Sequence, residues 1–141
     1  MQVERLIIII FPFVFIAIWV FVIGLVSRFG GWWHLAQRYR AFDSYHGKRL
    51  RGRHGRFGGT SYGGVLTFGA DMQGMYLAVN FLFSMWHPPL FILWKDIQTE
   101  EQKSFFTVYT TISFAQVPNV KLTISSKLMA QVQALKTGNL F

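Results

Sequence analysis

The chain contains no cysteine among its 141 residues. This absence excludes a disulfide framework, a thiolate metal site and a cysteine nucleophile, and it is compatible with either side of a membrane. The sequence also lacks a Gly-x-Ser-x-Gly elbow, a P-loop and a dinucleotide-binding fingerprint. The commonest local signatures of hydrolases, nucleotide-binding proteins and dehydrogenases are therefore missing.

Acidic residues are scarce, with six Asp and Glu against fourteen Lys and Arg. Paired carboxylates for acid–base catalysis would have to be Glu100 and Glu101, which are sequence neighbours in a polar stretch typical of a solvated loop. Asp71 and Asp96 also lie where turns or strand ends are expected. These placements predict a protein that is not an enzyme.

The sequence implies no metal site and no particular cofactor. Its histidines, His34, His46, His54 and His87, include no pair three or four residues apart, whereas zinc sites need three or four ligands with close spacing for at least two. His87 precedes a proline and is predicted to be a turn residue bonded to the backbone. His34 is the residue that a haem or pigment would use as an axial ligand, and peripheral contact with a lipid or a pigment stays open.

Residues 6–26 form one apolar run in which the indole of Trp19 is the sole hydrogen-bonding side chain. The hydrocarbon core of a bilayer is about 30 Å thick and is crossed by roughly 20 apolar residues in a helix. The sequence predicts a short tail at residues 1–5 and a transmembrane helix at 6–27. A cleaved secretory signal is the alternative, but the run is long, its lead is nearly neutral, and Leu25-Val26-Ser27-Arg28 is a poor cleavage site.

Bulky aromatic side chains recur along this run. They can pack against helices of other membrane proteins or face lipid. The candidates for packing against a partner helix are Phe11, Phe13, Phe15, Trp19 and Phe21.

Nearly all of the excess positive charge follows the apolar run, in residues 28–56, where Asp43 is the one acidic residue. Basic flanks stay in the cytoplasm, so we expect the N-terminus outside and the rest of the chain inside a bacterial cytoplasmic membrane. Such residues gain about 1 kcal/mol each near anionic lipid. The candidates for contact with anionic lipid or an acidic partner are Arg28, Arg38, Arg40, Lys48, Arg49, Arg51, Arg53 and Arg56.

Two other interpretations of this basic segment remain. Arg-Gly segments also bind nucleic acid, but a chain fixed to a bilayer meets lipid headgroups first, so nucleic acid is disfavoured. The segment could instead be a solvated loop that serves only to set the topology.

Residues 28–42 are predicted to form a juxtamembrane amphipathic helix that follows a break at Gly30 and Gly31. The positions on its apolar face are Trp32, Leu35, Ala36 and Tyr39. Trp32, Trp33 and Tyr39 are candidates for the membrane interface, where tryptophan and tyrosine are enriched. The helix could equally cap the core of the following domain.

Residues 43–141 are predicted to form a β-rich domain. Its Gly- and Arg-rich start, residues 43–64, is either a flexible basic loop or a twisted edge strand. Later strands are expected at 65–68, 75–83, 90–97, 105–114 and 120–124, with a polar turn at 98–103 and a helix at 126–136. The predicted fold is a single transmembrane helix plus a small α+β domain, with an antiparallel sheet or open β-barrel closed by the C-terminal helix.

This element order resembles the small β-barrels of the pleckstrin-homology-like and GRAM-like families. The phrases 31–40 (GWWHLAQRYR), 74–77 (GMYL) and 87–97 (HPPLFILWKDI) are similar to those of a group of small uncharacterised bacterial membrane-anchored proteins. The resemblance covers about residues 30–135 and implies no catalytic residues.

Two functions are expected from these patterns. The first is a non-catalytic accessory subunit of a larger integral-membrane complex, with photosynthetic and respiratory complexes as candidates, in which the β-domain bridges neighbours at the cytoplasmic face. The second is a self-standing membrane-anchored module that binds anionic lipid headgroups or a cytosolic protein.

Overall fold

The structure is a computed structural model that describes residues 2–41 and 45–137. Within that part of the chain the helices are α1 (Gln2–Gly30), α2 (Trp32–Tyr39) and α3 (Ser126–Lys136). The strands are β1 (Leu50–Phe57), β2 (Thr60–Ala70), β3 (Gly74–Val79), β4 (Leu90–Leu93), β5 (Ile97–Lys103), β6 (Val108–Phe114) and β7 (Val117–Ser125). The boundary predicted at residues 42 and 43, and residues 138–141, lie outside the described residues.

The seven strands form one antiparallel sheet, curled into a half-barrel, in the order β4-β3-β2-β1-β7-β6-β5. Strands β1 to β4 pair in sequence, and so do β5 to β7, while β4 and β5 lie at opposite edges. The two halves of the sheet meet where β1 pairs with β7, so that the first and last strands lie in the middle. The predicted antiparallel sheet followed by a C-terminal helix is confirmed at this level.

The helix α1 runs for 29 residues and continues through Pro12, a length of about 43 Å at 1.5 Å per residue. Among the described residues it is the one helix long and apolar enough to span a membrane, although a signal sequence near an N-terminus meets the same criterion. It begins at Gln2, within the stretch predicted as a tail, and it ends at the predicted glycine break. Gly31 follows with φ of 90°, a left-handed conformation that glycine adopts without penalty.

The core lies on the inner face of the curled sheet, where α2 and α3 cover it. The predicted apolar face of α2 is confirmed, because Trp32, Leu35, Ala36 and Tyr39 are all buried. From α3 the side chains of Leu128, Met129, Val132 and Leu135 enter the same core. Ser125 caps α3 through its side-chain oxygen, which accepts a hydrogen bond from the Leu128 amide at 3.1 Å.

Residues 50–57 of the Gly- and Arg-rich segment form neither a loop nor an edge strand, because they make up β1, which lies at the centre of the sheet. Its glycines allow this position. Gly52 and its neighbour across the pair, Gly64, have φ of 68° and 72°, and register shifts flank Arg53, as expected of β-bulges that curl a sheet. A Cβ at Gly55 would lie 2.6 Å from the Leu66 side chain, so glycine is what fits there.

The later strands differ from the predicted ones at their ends. The predicted polar turn at 98–103 is wrong, because these residues belong to β5, which pairs with β6 along its length. The predicted strand 75–83 ends at Val79, and Phe81–Phe83 form a 3₁₀ turn. A second 3₁₀ turn, Trp94–Asp96, divides the predicted strand 90–97, which lets the side chains of both Trp94 and Ile97 pack against the core.

Candidate functional site

The predicted basic residues do not form one patch, because they lie at separate places on the surface. Arg28, Arg38 and Arg40 are exposed at or near the ends of α1 and α2. Arg49 and Arg51 line a shallow depression on the outer side of the sheet. Arg53 and Arg56 line a cleft between β1 and β7. Lys48 is exposed beside the second of these places.

The cleft between β1 and β7 exists because these strands pair only at Arg56 with Thr123 and at Phe57 with Leu122. Beyond those pairs the strands separate and leave an open depression of about 650 Å³, which we call the β1–β7 cleft. Its polar lining residues are Arg53, His54, Arg56, Ser61, Tyr62, Tyr109, Thr123 and Ser125. Among the described residues no carboxylate lines it.

The electrostatics of the β1–β7 cleft favour an anion. The Nε atom of Arg53 is buried and has no hydrogen-bond partner among the described residues. The Nε of Arg56 donates to the Gly58 carbonyl oxygen at 3.0 Å. The N-terminus of α3, capped by Ser125, also lies at the cleft and adds partial positive charge. The arrangement can hold a phosphate-sized group through arginine and hydroxyl donors.

Arg49 is engaged in the fold. Its guanidinium lies 5.3 Å from the centre of the Tyr76 ring and 5.7 Å from that of Tyr45, a cation–π geometry. Its Nη2 donates to the Tyr45 carbonyl oxygen at 2.6 Å. The two tyrosine rings stack with centroids 4.8 Å apart, and the Tyr45 hydroxyl accepts from the Ala70 amide at 3.0 Å. This cluster fixes the segment before β1 on the outer face of the sheet.

The loop between β3 and β4, residues 80–89, packs along the C-terminal part of α1; we call it the 80–89 loop. The Trp19 indole donates to the Leu82 carbonyl oxygen at 3.1 Å, and its ring centre lies 5.3 Å from that of Phe83. The Ser27 hydroxyl, fully buried, donates to the Trp86 carbonyl oxygen at 2.7 Å. The end of α1 is therefore built into the domain.

The predicted membrane-interface residues separate into two kinds. Trp32 and Tyr39 are core residues, exposed by 0% and 4%. The Trp32 indole donates to the Pro88 carbonyl oxygen at 2.9 Å, and the Tyr39 hydroxyl accepts from the Gln116 amide at 2.9 Å. Their side chains are not available to a membrane interface, because α2 turns this face toward the sheet. Trp33, half-buried beside the Trp86 ring at 6.1 Å, is the one of the three that reaches the surface.

The residues predicted to pack against a partner helix all lie on the exposed part of α1. The exposed side chains are Phe11, Phe13, Phe15, Trp19 and Phe21. Phe11, Phe15 and Trp19 recur every fourth residue and stack with ring centres 6.2 and 6.3 Å apart. Trp19 continues this row onto the 80–89 loop, a contact within the chain that the sequence pattern did not indicate.

A buried polar pair lies between the sheet and the 80–89 loop. His87 is 2% exposed; its Nδ1–H donates to the Met85 carbonyl oxygen at 3.1 Å, and its Nε2 accepts from the Tyr62 hydroxyl at 2.9 Å. Burial lowers the pKa of His87, partly offset by its hydrogen bonds to backbone carbonyls, and burial raises the pKa of Tyr62. Both groups are therefore neutral and satisfied, and the predicted turn role of His87 is confirmed.

In the described part of the chain no three His, Asp or Glu side chains lie close enough together to hold a metal ion. His34 is exposed on α2. Comparisons with known protein families, curated proteins and solved structures found no match. The candidate functional surfaces in the described part of the chain are the exposed part of α1, the 80–89 loop and the β1–β7 cleft.

Sequence reasoning missed the 80–89 loop as a surface. A signal was present, because Phe81, Leu82, Phe83, Met85 and Trp86 form an apolar run just before two prolines. The strand predicted at 75–83 includes the first part of this run, and the exposure of these side chains does not follow from composition.

Proposed function

We propose that the chain is a non-catalytic, single-pass membrane subunit whose β-domain bridges or stabilises neighbouring proteins in a larger integral-membrane complex. The main observation behind this proposal is that the C-terminal end of α1 and its earlier turns have different surroundings. Its end is locked into the domain, with Ile23 exposed by 4% and Ser27 by 0%, while its earlier turns present apolar side chains outward. An apolar helix that its own domain leaves uncovered needs lipid or other membrane helices around it.

The contacts of Ile23 and Ser27 support an uncleaved anchor over a signal sequence. Cleavage after Ser27 would remove Ile23 from its packing, and it would also remove the buried hydroxyl that donates to the Trp86 carbonyl oxygen. A buried carbonyl that loses its donor costs about 1–3 kcal/mol. These contacts support the interpretation that the end of α1 is a permanent part of the folded domain.

The proposed orientation places the domain in the cytoplasm of a bacterium, with the N-terminus outside the inner membrane. Arg28, Arg38 and Arg40, all exposed on or next to the first two helices, are the charges that favour this topology. Seven antiparallel strands followed by one helix also support the resemblance to pleckstrin-homology-like barrels, which we retain as part of the proposal.

The row formed by Phe11, Phe15 and Trp19 is the proposed contact for a partner helix. Stacked rings on one side of a helix make a continuous ridge that can fit the groove of a neighbouring helix. Energy-converting assemblies of the photosynthetic or respiratory type are candidate complexes. The exposed aromatic ridge, together with a domain that lacks an evident catalytic cluster in its described part, is what supports an accessory role.

The test is mild extraction of native membranes followed by native electrophoresis and identification of copurifying proteins. We expect the chain to migrate within a larger assembly and the double change Phe11→Ala and Phe15→Ala to release it. Phe105→Ala, which alters an aromatic residue 97% exposed on the β5–β6 turn, is the matched control. Migration of the unaltered chain as a lone small protein would contradict the proposal.

The β1–β7 cleft supports a second candidate function, which is binding of an anionic lipid headgroup or an acidic protein group. The specific observation is the buried Arg53 Nε without a partner in the described residues. Titration of the detergent-solubilised chain with glycerol phosphate should show binding that falls about tenfold or more in Arg53→Gln, because a charged hydrogen bond contributes about 1.5–3 kcal/mol. Arg38→Gln is the control, and equal affinity of both variants would remove this candidate.

A further inference from the structure

The 80–89 loop lies alongside α1 over a considerable depth. The Leu82 carbonyl oxygen accepts a hydrogen bond from the Trp19 indole, and the Trp86 carbonyl oxygen accepts one from the Ser27 hydroxyl. Eight residues of α-helix separate these two contacts, a distance of about 12 Å along the helix axis. If residues 6–26 fill the hydrocarbon core, the level of Trp19 is about 10 Å inside it. The loop must then enter the same layer.

The exposed side chains of the loop suit a hydrocarbon environment. No Asp, Glu, Lys or Arg occurs between Asn80 and Pro89. The large apolar side chains left exposed are Phe81 at 87%, Leu82 at 64%, Met85 at 53% and Trp86 at 45%. A contiguous apolar surface of this kind marks a binding surface for protein or membrane, and here it is continuous with the apolar surface of α1.

The backbone of the loop is largely paired within the chain. The Phe83 amide donates to the Asn80 carbonyl oxygen at 2.9 Å, and the Ser84 amide donates to that of Phe81 at 3.2 Å. The Leu82 amide donates to the Asn80 side-chain oxygen at 3.1 Å. Irregular backbone is tolerated at membrane depth only when its polar groups have such partners. The Trp19 indole supplies a donor to a carbonyl of the loop in the same way.

Trp86 holds the loop against α1 at the cost of backbone strain. Its φ is 65°, a conformation that is rare for a bulky residue and persists only where its surroundings enforce it. The indole packs against Gly24, where a Cβ would lie 3.3 Å away, and against the Trp33 ring. The contacts of Trp86 therefore fix the loop beside α1. A freely mobile surface loop would not need such contacts.

A groove of about 740 Å³ runs between α1 and the loop. Ile16, Val20 and Leu82 line its apolar part, and Trp33 and Arg40 also line it. An arginine and a tryptophan beside an apolar groove are typical of the headgroup level, where the cation meets lipid phosphate and the indole lies at the interface. The complementary ligand is a phospholipid with its acyl chain along the groove.

We propose that the 80–89 loop is a second membrane-embedded element, inserted beside α1 into the leaflet that faces the domain, with phospholipid acyl chains as the occupant of its exposed surface and groove. This inference rests on the proposed function, because it requires that α1 span the bilayer. It adds that the domain is held at a fixed height on the membrane by two attachments.

The absence of cysteine in the chain allows a direct test with single labels. We would introduce Leu82→Cys, attach a nitrobenzoxadiazole fluorophore, and reconstitute the full chain in phosphatidylcholine–phosphatidylglycerol vesicles. Nitroxide groups on the acyl chains quench a label in hydrocarbon, and iodide quenches a label in water. Met85→Cys provides a second position in the loop. Phe105→Cys is the control in the domain, and Ile10→Cys is the control in α1.

We expect the acyl-chain nitroxides to quench most of the fluorescence at Leu82, Met85 and Ile10, with iodide having little effect there. At Phe105 we expect the reverse pattern. Quenching by iodide at both loop positions, with Ile10 still quenched by lipid, would overturn the second attachment and leave the anchor standing. Protection of the loop labels from both quenchers would assign the surface to contact with a second copy of this chain and would overturn the lipid occupant. Quenching of Ile10 by iodide would overturn both proposals.

Discussion

Both halves of α1 are largely apolar, but among the described residues buried side chains occur only in the second half. Ile9 in the first half is 61% exposed, whereas Ile23 in the second half is 4% exposed. The first half touches none of the β-domain's core, while the second contributes a buried hydroxyl and an indole donor to the 80–89 loop. The comparison teaches that hydropathy identifies a stretch compatible with a membrane but does not tell which part of it also belongs to a folded domain.

The largest difference between the halves should appear in paired isoleucine variants. Ile23→Ala is expected to lower the free energy of unfolding of the domain by about 2–5 kcal/mol, because it leaves a cavity in a packed site. Ile9→Ala, the control in the exposed half, should change it by less than about 0.5 kcal/mol. Urea unfolding in a mild detergent, followed by near-ultraviolet circular dichroism, measures both. Equal effects would contradict the division of the helix.

A smaller loss in the free energy of unfolding is expected when the Ser27 hydroxyl, which donates from α1 to the 80–89 loop, is removed. Ser27→Ala removes the donor to the Trp86 carbonyl oxygen and should cost about 1–3 kcal/mol, since a buried acceptor is left unpaired. Ser104→Ala, at an exposed turn, is the control. The same unfolding measurement applies, and hydrogen exchange at His87, which follows in the 80–89 loop, should rise in the first variant only.

The indole of Trp19 marks the point where the exposed half meets the loop. Trp19→Phe keeps an aromatic ring against Phe83 but removes the hydrogen bond to the Leu82 carbonyl oxygen. We expect a loss of about 0.5–1.5 kcal/mol and faster hydrogen exchange in the 80–89 loop. Unchanged exchange there would show that the loop does not depend on the helix at this level.

The smallest effect concerns pH and the buried His87. Its pKa is lowered in the folded chain, while an unfolded histidine titrates near 6.5. The unfolded state therefore binds more protons just below that pH, and the free energy of unfolding should fall as the pH drops below about 6.5, then level off below the folded pKa. His87→Gln, which keeps an acceptor for Tyr62, should flatten this dependence, and an unchanged dependence in this variant would contradict the prediction.

Much of the architecture follows from patterns that can be read along the chain. Residues spaced three and four apart predicted the buried face of α2, and the helix predicted at 126–136 is α3. The alternation of apolar and polar residues predicted β6 and the later part of β7. These elements obey local rules, because each buries one face and needs no distant residue to define it.

The central strand could not be predicted for a physical reason. Gly55 is required by Leu66 and Leu122, which are distant in sequence and close in the half-barrel, so a residue that normally argues against a strand is here demanded by tertiary packing. The strand β5 carries almost no apolar residue and exists because its backbone pairs with β6. In both cases contacts with other parts of the sheet override the intrinsic β-propensity of the residues.

The candidate surfaces were predictable only in part. The charges of the basic segment were evident from the sequence, but their division among separate places depends on the course of β1 through the sheet. Trp32 and Trp33 are adjacent and chemically identical, and only the packing of α2 decides that one is core and the other surface. The 80–89 loop is a surface because the fold leaves its side chains uncovered.

The outermost strand β5 has a consequence for how this chain meets copies of itself. Its free edge carries Glu100 and Glu101 side by side, and a copy added antiparallel in a matched register would bring carboxylates opposite one another. Like charges directly across a strand pair repel, and charged edge strands resist unwanted sheet extension. At neutral pH this edge therefore discourages the addition of a second copy of the chain.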